Sequence, residues 1–145
     1  MKRNAQIAVA VLVVFDLLLL FTAIAQRRLP MIVLAVLFLL LSVAFAWWSL
    51  RKGRHVALAD AERQIADGQA VAIGFWKPGC MYCERLMRSL RDREDIAWVN
   101  VWQDPAADAR VRELNGGDQY TPTLVLGRGG SVLRNPSADE VRAAL

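Results

Sequence analysis

The sequence predicts a small α/β domain of order βαβαββα preceded by a two-helix transmembrane hairpin. Three observations carry this reading. Two long apolar runs, 7–25 and 29–50, fill the first third of the chain. Downstream, short β-type apolar runs alternate with segments of helical spacing. The chain's two cysteines, Cys80 and Cys83, stand where a strand gives way to a helix.

The apolar runs come first in the chain. Residues 7–25 are interrupted only by Asp16 and Thr22, and at ~1.5 Å per residue they equal about one hydrocarbon thickness. After Gln26-Arg27-Arg28 the second run has Pro30 in its first turn, where a missing N–H costs nothing, and Trp47-Trp48 near its end, as interfacial aromatics do. Lys2, Arg3, Arg51, Lys52 and Arg54 flank one face and only Arg27 and Arg28 the other, so both termini are expected in the cytoplasm of a two-span protein of the cell membrane. Residues 1–25 also read as a signal peptide ending in Ala23-Ile24-Ala25, and the second run would then still leave the C-terminal domain on the same side. Asp16, at mid-depth and level with Ser42, reads as a protonated carboxyl hydrogen-bonded inside the hairpin or to another copy, ahead of a transport or proton-relay role.

Composition agrees with this division. Hydrophobic residues are 55% of 145, above the ~45–50% of soluble domains. That excludes intrinsic disorder. The net charge of +4 is uneven: residues 1–54 carry seven Lys/Arg against Asp16 alone, and residues 55–145 carry eleven basic and thirteen acidic side chains. A nucleic-acid domain would hold its basic excess on the folded part, so no nucleic-acid partner is expected.

The domain organisation expected is a hairpin over 1–54, a linker helix over 55–69 and the α/β domain over 70–145. His55–Asp67 has helical spacing and is stopped by Gly68. Ala70–Trp76 reads as a strand, Cys80–Arg91 as a helix and Ile96–Trp102 as a second strand. Asp104 caps a helix that has Pro105 at its first position and ends at Asn115-Gly116-Gly117. Thr123–Leu126, a turn over Gly127–Gly130, and Ser131–Arg134 read as a hairpin, and Ser137 caps a last helix. Right-handed crossover makes the first two strands parallel, and the hairpin makes the last two antiparallel.

The chemistry lies in Cys80 and Cys83. A thiolate at a helix N-terminus is stabilised by unpaired N–H groups and the positive end of the dipole, and Lys77 adds charge nearby. Cys80 is therefore expected to have a lowered pKa and to act as nucleophile, with Cys83 one turn on to resolve a mixed disulfide. Two other readings stand beside it. Zinc would need ligands beyond two thiols and His55, and a structural disulfide closing so small a ring would constrain little of the unfolded chain.

Phe75-Trp76-Lys77-Pro78-Gly79-Cys80-Met81-Tyr82-Cys83 resembles the glutaredoxin branch of the thioredoxin-like fold. Asn115-Gly116-Gly117-Asp118-Gln119-Tyr120-Thr121-Pro122-Thr123 and Asn135-Pro136-Ser137 are similar to the matching stretches of actinobacterial mycoredoxins. The resemblance leaves out residues 1–69. It implies a thiol–disulfide oxidoreductase that reduces disulfide-bearing or S-thiolated proteins, membrane proteins among them, with mycothiol or glutathione as reducing co-substrate and no bound metal or cofactor. It implies that Pro122 is a cis proline facing the dithiol and that Thr121, where Val is usual, offers backbone hydrogen bonds to substrate. Lys77 and Tyr82 would flank the thiol groove, and Ser137 and Asp139 would hold the small thiol's carboxylate. A membrane-tethered binding module with incidental thiols, and a periplasm-facing redox domain, are the competing readings.

Overall fold

The structure, a computed structural model, describes residues 2–50, 53–127 and 130–145. Arg51 and Lys52 of the basic flank and Arg128-Gly129 of the expected turn lie outside the described residues. The chain divides into two compact units, Met1–Arg51 and Lys52–Leu145.

The first unit is a pair of packed helices, α1 (Lys2–Ala25) and α2 (Leu29–Leu50). They are joined by a turn in which Arg27 takes a left-handed φ of 53°. The apolar stretches Gln6–Ala25 and Leu29–Trp48 have mean hydropathies of 2.9 and 2.8, lengths and compositions that could cross a bilayer. Most of their large side chains face outward. Asp16 and Ser42, with Ala23 and Ala35, are buried between the helices. The Asp16 Oδ2 is buried without a hydrogen-bond partner among the described residues.

The second unit is a four-stranded sheet with helices on both faces. Its elements are α3 (Leu58–Ala66), β1 (Ala72–Trp76), α4 (Met81–Ser89), β2 (Ile96–Asn100), α5 (Pro105–Leu114), β3 (Thr123–Leu126), β4 (Ser131–Arg134) and α6 (Ala138–Ala144). After the linker helix, the order βαβαββα is the expected one. The strands lie in the order β2-β1-β3-β4. β1 runs parallel to β2, with Phe75 beside Val99, and antiparallel to β3, with Phe75 beside Thr123. β3 and β4 pair antiparallel.

β1 begins at Ala72 and not at Ala70, and α4 runs over Met81–Ser89 and not to Arg91. Two further boundaries shift, each for a local reason. The linker helix begins at Leu58 and not at His55, because residues 55 and 56 lie against β2 instead. The Val56 N–H donates to the Trp98 carbonyl at 3.0 Å, and the Asn100 N–H donates to His55 Nδ1 at 3.2 Å. β2 ends at Asn100 and not at Trp102, because the Asn100 side chain accepts from the Trp102 N–H at 2.9 Å and turns the chain.

Both faces of the sheet are apolar, as parallel pairing requires. On one, Ile73, Phe75, Ala97 and Val99 pack under Leu58 and Ala61 of α3 and Ala107 and Val111 of α5. On the other, Ala72, Trp76, Trp98 and Leu124 pack under Cys83, Leu86 and Leu90 of the cysteine helix and Val141 of α6. Gly74, at the centre of β1, leaves room there for Trp98. A Cβ at position 74 would fall 2.6 Å from the indole carbons Cε3 and Cζ3.

Asp104 fastens one of these layers. Its Oδ1 caps α5 by accepting from the N–H groups of Ala106 (2.9 Å) and Ala107 (3.2 Å), and its Oδ2 accepts from the Leu58 N–H at 2.7 Å at the start of α3. Burial raises its pKa, but the donors from Leu58, Ala107 and Ala106, helped by His55, outweigh it and hold the carboxyl below its ordinary value. A carboxyl depressed in the fold contributes stability that is present above its unfolded pKa and lost as the pH falls through the folded value. Asp104→Ala is expected to cost about 1–2 kcal/mol at neutral pH. The wild-type advantage over that variant should shrink below about pH 4. Urea unfolding of both proteins in non-ionic detergent at pH 7 and pH 3 measures each expectation.

Candidate active site

Cys80 is the N-cap of α4. Its φ of −89° and ψ of 102° are extended, and its Sγ accepts from the Cys83 N–H at 3.2 Å, in the place where Ser or Asp more often sits. The geometry thus gives the sulfur one of the free donors of the helix's first turn and its positive end. Gly79, with a φ of 75°, turns the chain from β1 into that cap. Cys83, one turn on, is fully buried against Leu86 and Trp76, while Cys80 is partly open. The two sulfurs are joined as a disulfide. Only the Cys80 side of the bond faces outside.

Across from the sulfur stands the loop before β3. The Thr121–Pro122 bond is cis and Pro122 is buried. The Thr121 carbonyl oxygen is 3.5 Å from Cys80 Sγ, and its hydroxyl donates toward the same sulfur at 3.8 Å. The loop is held from behind. Thr123 Oγ1 donates to the Tyr120 carbonyl at 2.9 Å, and the Asn115 side chain, which also donates to the Val111 carbonyl at 2.6 Å, reaches Thr123 at 3.2 Å. Asn115-Gly116-Gly117 thus ends α5 and braces the loop, with the Gly117 N–H donating to the Arg112 carbonyl at 2.8 Å.

Once the disulfide is reduced, the Thr121 hydroxyl can donate to a thiolate. Thr121→Val removes that donor and keeps the shape. It should raise the Cys80 thiol pKa by about half to one unit. The pH dependence of iodoacetamide alkylation measures this, and Thr121→Ser should restore the wild-type midpoint.

The remaining expected site residues divide into two groups. Lys77, half-buried at the end of β1, donates through Nζ to Gln119 Oε1 at 3.3 Å. Burial lowers its pKa most, the Arg112 charge lowers it further, and Asp108 opposes both. Tyr82 is exposed and lines a groove of about 250 Å³ with Arg85, Leu86 and Ser89 of α4 and Asn135, Pro136 and Ser137 before α6. Ser137 sits in that groove with its own polar groups engaged. Its N–H and hydroxyl meet Glu140 Oε2 at 2.7 and 2.9 Å, and its Oγ accepts from the Glu140 N–H at 3.2 Å. A ligand carboxylate at this helix start would have to displace Glu140. Asp139 is almost wholly exposed, 3.9 Å from Arg142, and not among the residues lining the groove. Glu140 was readable from the Ser-x-x-Glu spacing. Gln119 and Asp108, which hold Lys77, had no comparable signal. Among the described residues there is no cluster of His, Cys, Asp or Glu fit to hold a metal.

A mixed four-stranded sheet with a Cys-x-x-Cys pair capping a helix opposite a cis proline defines the thioredoxin-like class of thiol–disulfide oxidoreductases. Residues 73–129 match the Glutaredoxin family profile. Proteins of two Mycobacterium tuberculosis strains, each named as a glutaredoxin, are 43% identical over 68 residues, covering 46% of this chain and 79% of the relative. The chain belongs to the glutaredoxin family. Solved structures similar to it include a mutant of the thioredoxin-like protein BC3987 (20% identity, 50% of this chain and 95% of the other, TM-score 0.42). The solution structure of a Brucella melitensis glutaredoxin is a second (23% identity, 51% and 76% covered, TM-score 0.36).

Proposed function

We propose that the protein is a membrane-anchored, mycoredoxin-like reductase of mixed disulfides, with Cys80 as nucleophile, Cys83 as resolving thiol and mycothiol or glutathione as reductant. The single observation that carries this is the placement of Cys80 Sγ, at the cap of α4 and against Thr121, with its bonded partner buried behind it. The Cys80 thiolate attacks the small-thiol sulfur of a protein mixed disulfide. A Cys80–S–S–R disulfide forms, the S–S bond between the small thiol and the substrate protein breaks, and the released protein thiolate takes up a proton. A second small thiol, as thiolate, then attacks the sulfur of R and leaves as R–S–S–R, returning Cys80 to its thiolate. Alternatively Cys83 attacks Cys80, expels R–S⁻ and forms the intramolecular disulfide, which two further thiols reduce.

In this reading Lys77 and Tyr82 border the small thiol, Thr121 and Pro122 present backbone to an extended substrate, and the small thiol's carboxylate end reaches Ser137 by displacing Glu140, with Asp139 outside the groove. The proposed division is a membrane hairpin over 1–54, a linker over 55–69 and the redox domain over 70–145. The hairpin holds the domain at the cytoplasmic face and raises its concentration near thiolated membrane proteins. The test of the chemistry is reduction of mycothiol- and glutathione-mixed disulfides by the purified full chain in non-ionic detergent. No reduction of either would overturn the reading. Reporters fused after Leu145 and inserted within 26–28 test the side, and a periplasmic signal at Leu145 would reverse it.

A further inference from the structure

We propose that Asp108 is a positioning residue that acts through Gln119 to fix the Lys77 ammonium at the rim of the dithiol site. The inference rests on Cys80 being the exposed reactive thiol, as read above. An amide has two unlike ends, and a carboxylate takes only one of them. Asp108 Oδ1 accepts from Gln119 Nε2, so Gln119 Oε1 must point the other way. There it meets Lys77 Nζ, which can only donate. Arg112 closes the series from behind, its Nε 3.2 Å from Asp108 Oδ1 and 3.3 Å from Oδ2, with a further bond from its Nη1 to the Gly117 carbonyl at 3.2 Å.

The outcome is a row of alternating polarity from Arg112 to Asp108, Gln119 and Lys77. It ties together the two segments that flank the sulfur. Lys77 is three residues before Cys80 and its carbonyl accepts from the Cys80 N–H at 3.4 Å; Gln119 is two residues before Thr121, which touches Sγ. Lys77 faces two charges from α5, Arg112 against it and Asp108 for it, and burial disfavours its charged form. A four-carbon stem at this depth has little else to hold its head in one place.

The test reads local charge at Cys80 without any turnover or natural co-substrate. In the reduced full chain in non-ionic detergent, the rate of Cys80 alkylation by anionic iodoacetate is divided by that by neutral iodoacetamide at one pH. Thiol reactivity cancels in the ratio, and the position of nearby positive charge remains. Lys77→Met should lower it about threefold. Asp108→Ala should lower it nearly as much, because Lys77 loses its anchor, and the Lys77→Met/Asp108→Ala double variant should fall no further. Asp108→Asn retains an acceptor for Gln119 and should restore most of the ratio, whereas Gln119→Met should behave as Asp108→Ala does. If Asp108 acted by charge alone, its removal would leave Arg112 uncompensated and raise the ratio. That result, or additive effects of the two changes, or failure of Asp108→Asn to restore the ratio, would overturn the proposal. The Asp108–Arg112 pair is about one-third exposed on both sides, and such pairs contribute little to stability. Peptide mapping showing alkylation first at Cys83 would refute the functional reading instead.

Discussion

Cys80→Ser is expected to lower mixed-disulfide reduction by at least about 10³-fold, since the attacking sulfur is gone and the buried Cys83 cannot take its place from within the core. Cys83→Ser should behave differently. It leaves an outward-facing Cys80, so one turnover of mixed disulfide should yield a stable adduct of the small thiol on Cys80, visible by intact mass. Steady-state turnover of that variant decides the route of release. Rates near wild type assign it to a second small thiol, and loss of turnover with accumulation of the adduct assigns it to Cys83. A Cys80→Ser rate within about tenfold of wild type would sink the mechanism altogether.

Gly74→Ala should be strongly damaging to the redox unit. The added carbon would lie 2.6 Å from the indole of Trp98, a distance that ordinary packing does not permit. Gly74 is paired on both sides, to Trp98 in β2 and Leu124 in β3, so its backbone cannot back away. Trp98 is itself buried under the cysteine helix. The expected loss is about 2–3 kcal/mol, or roughly 10–20 °C in Tm for a unit of this size, by thermal unfolding of the full chain in detergent. Combining it with Trp98→Leu should cost less than the two losses added, because the smaller side chain vacates the space the new methyl needs.

Much of this architecture was legible because it is written in local chemistry. Asp104-Pro105 and the Ser137-x-x-Glu140 pattern mark helix starts by the hydrogen bonds they offer, and β1 and β3 show as apolar runs of strand length. Cys80 and Cys83 were legible for the same reason, their spacing at a strand-to-helix step. What escaped depends on segments far apart in the chain. Asp104 reaches back 46 residues to Leu58, and Lys77 reaches forward 42 to Gln119. No periodicity encodes such a meeting. The late start of α3 escaped likewise, since helical spacing from His55 onward competes with a bonding opportunity at β2 that exists only once the sheet is formed.

That diverted stretch has a further consequence. β2 is the outermost strand on its side of the sheet, and a bare strand edge is a template on which other chains polymerise. His55 accepts from the Asn100 N–H and Val56 donates to the Trp98 carbonyl, so the protein covers the C-terminal part of that edge with its own polypeptide. The segment joining hairpin to redox domain is therefore also a guard against self-association. A recombinant domain trimmed to begin at Ala57 would keep α3 and both cysteines and yet present β2 unguarded, and light scattering should show it forming aggregates under conditions where a version beginning at Gly53 stays dispersed.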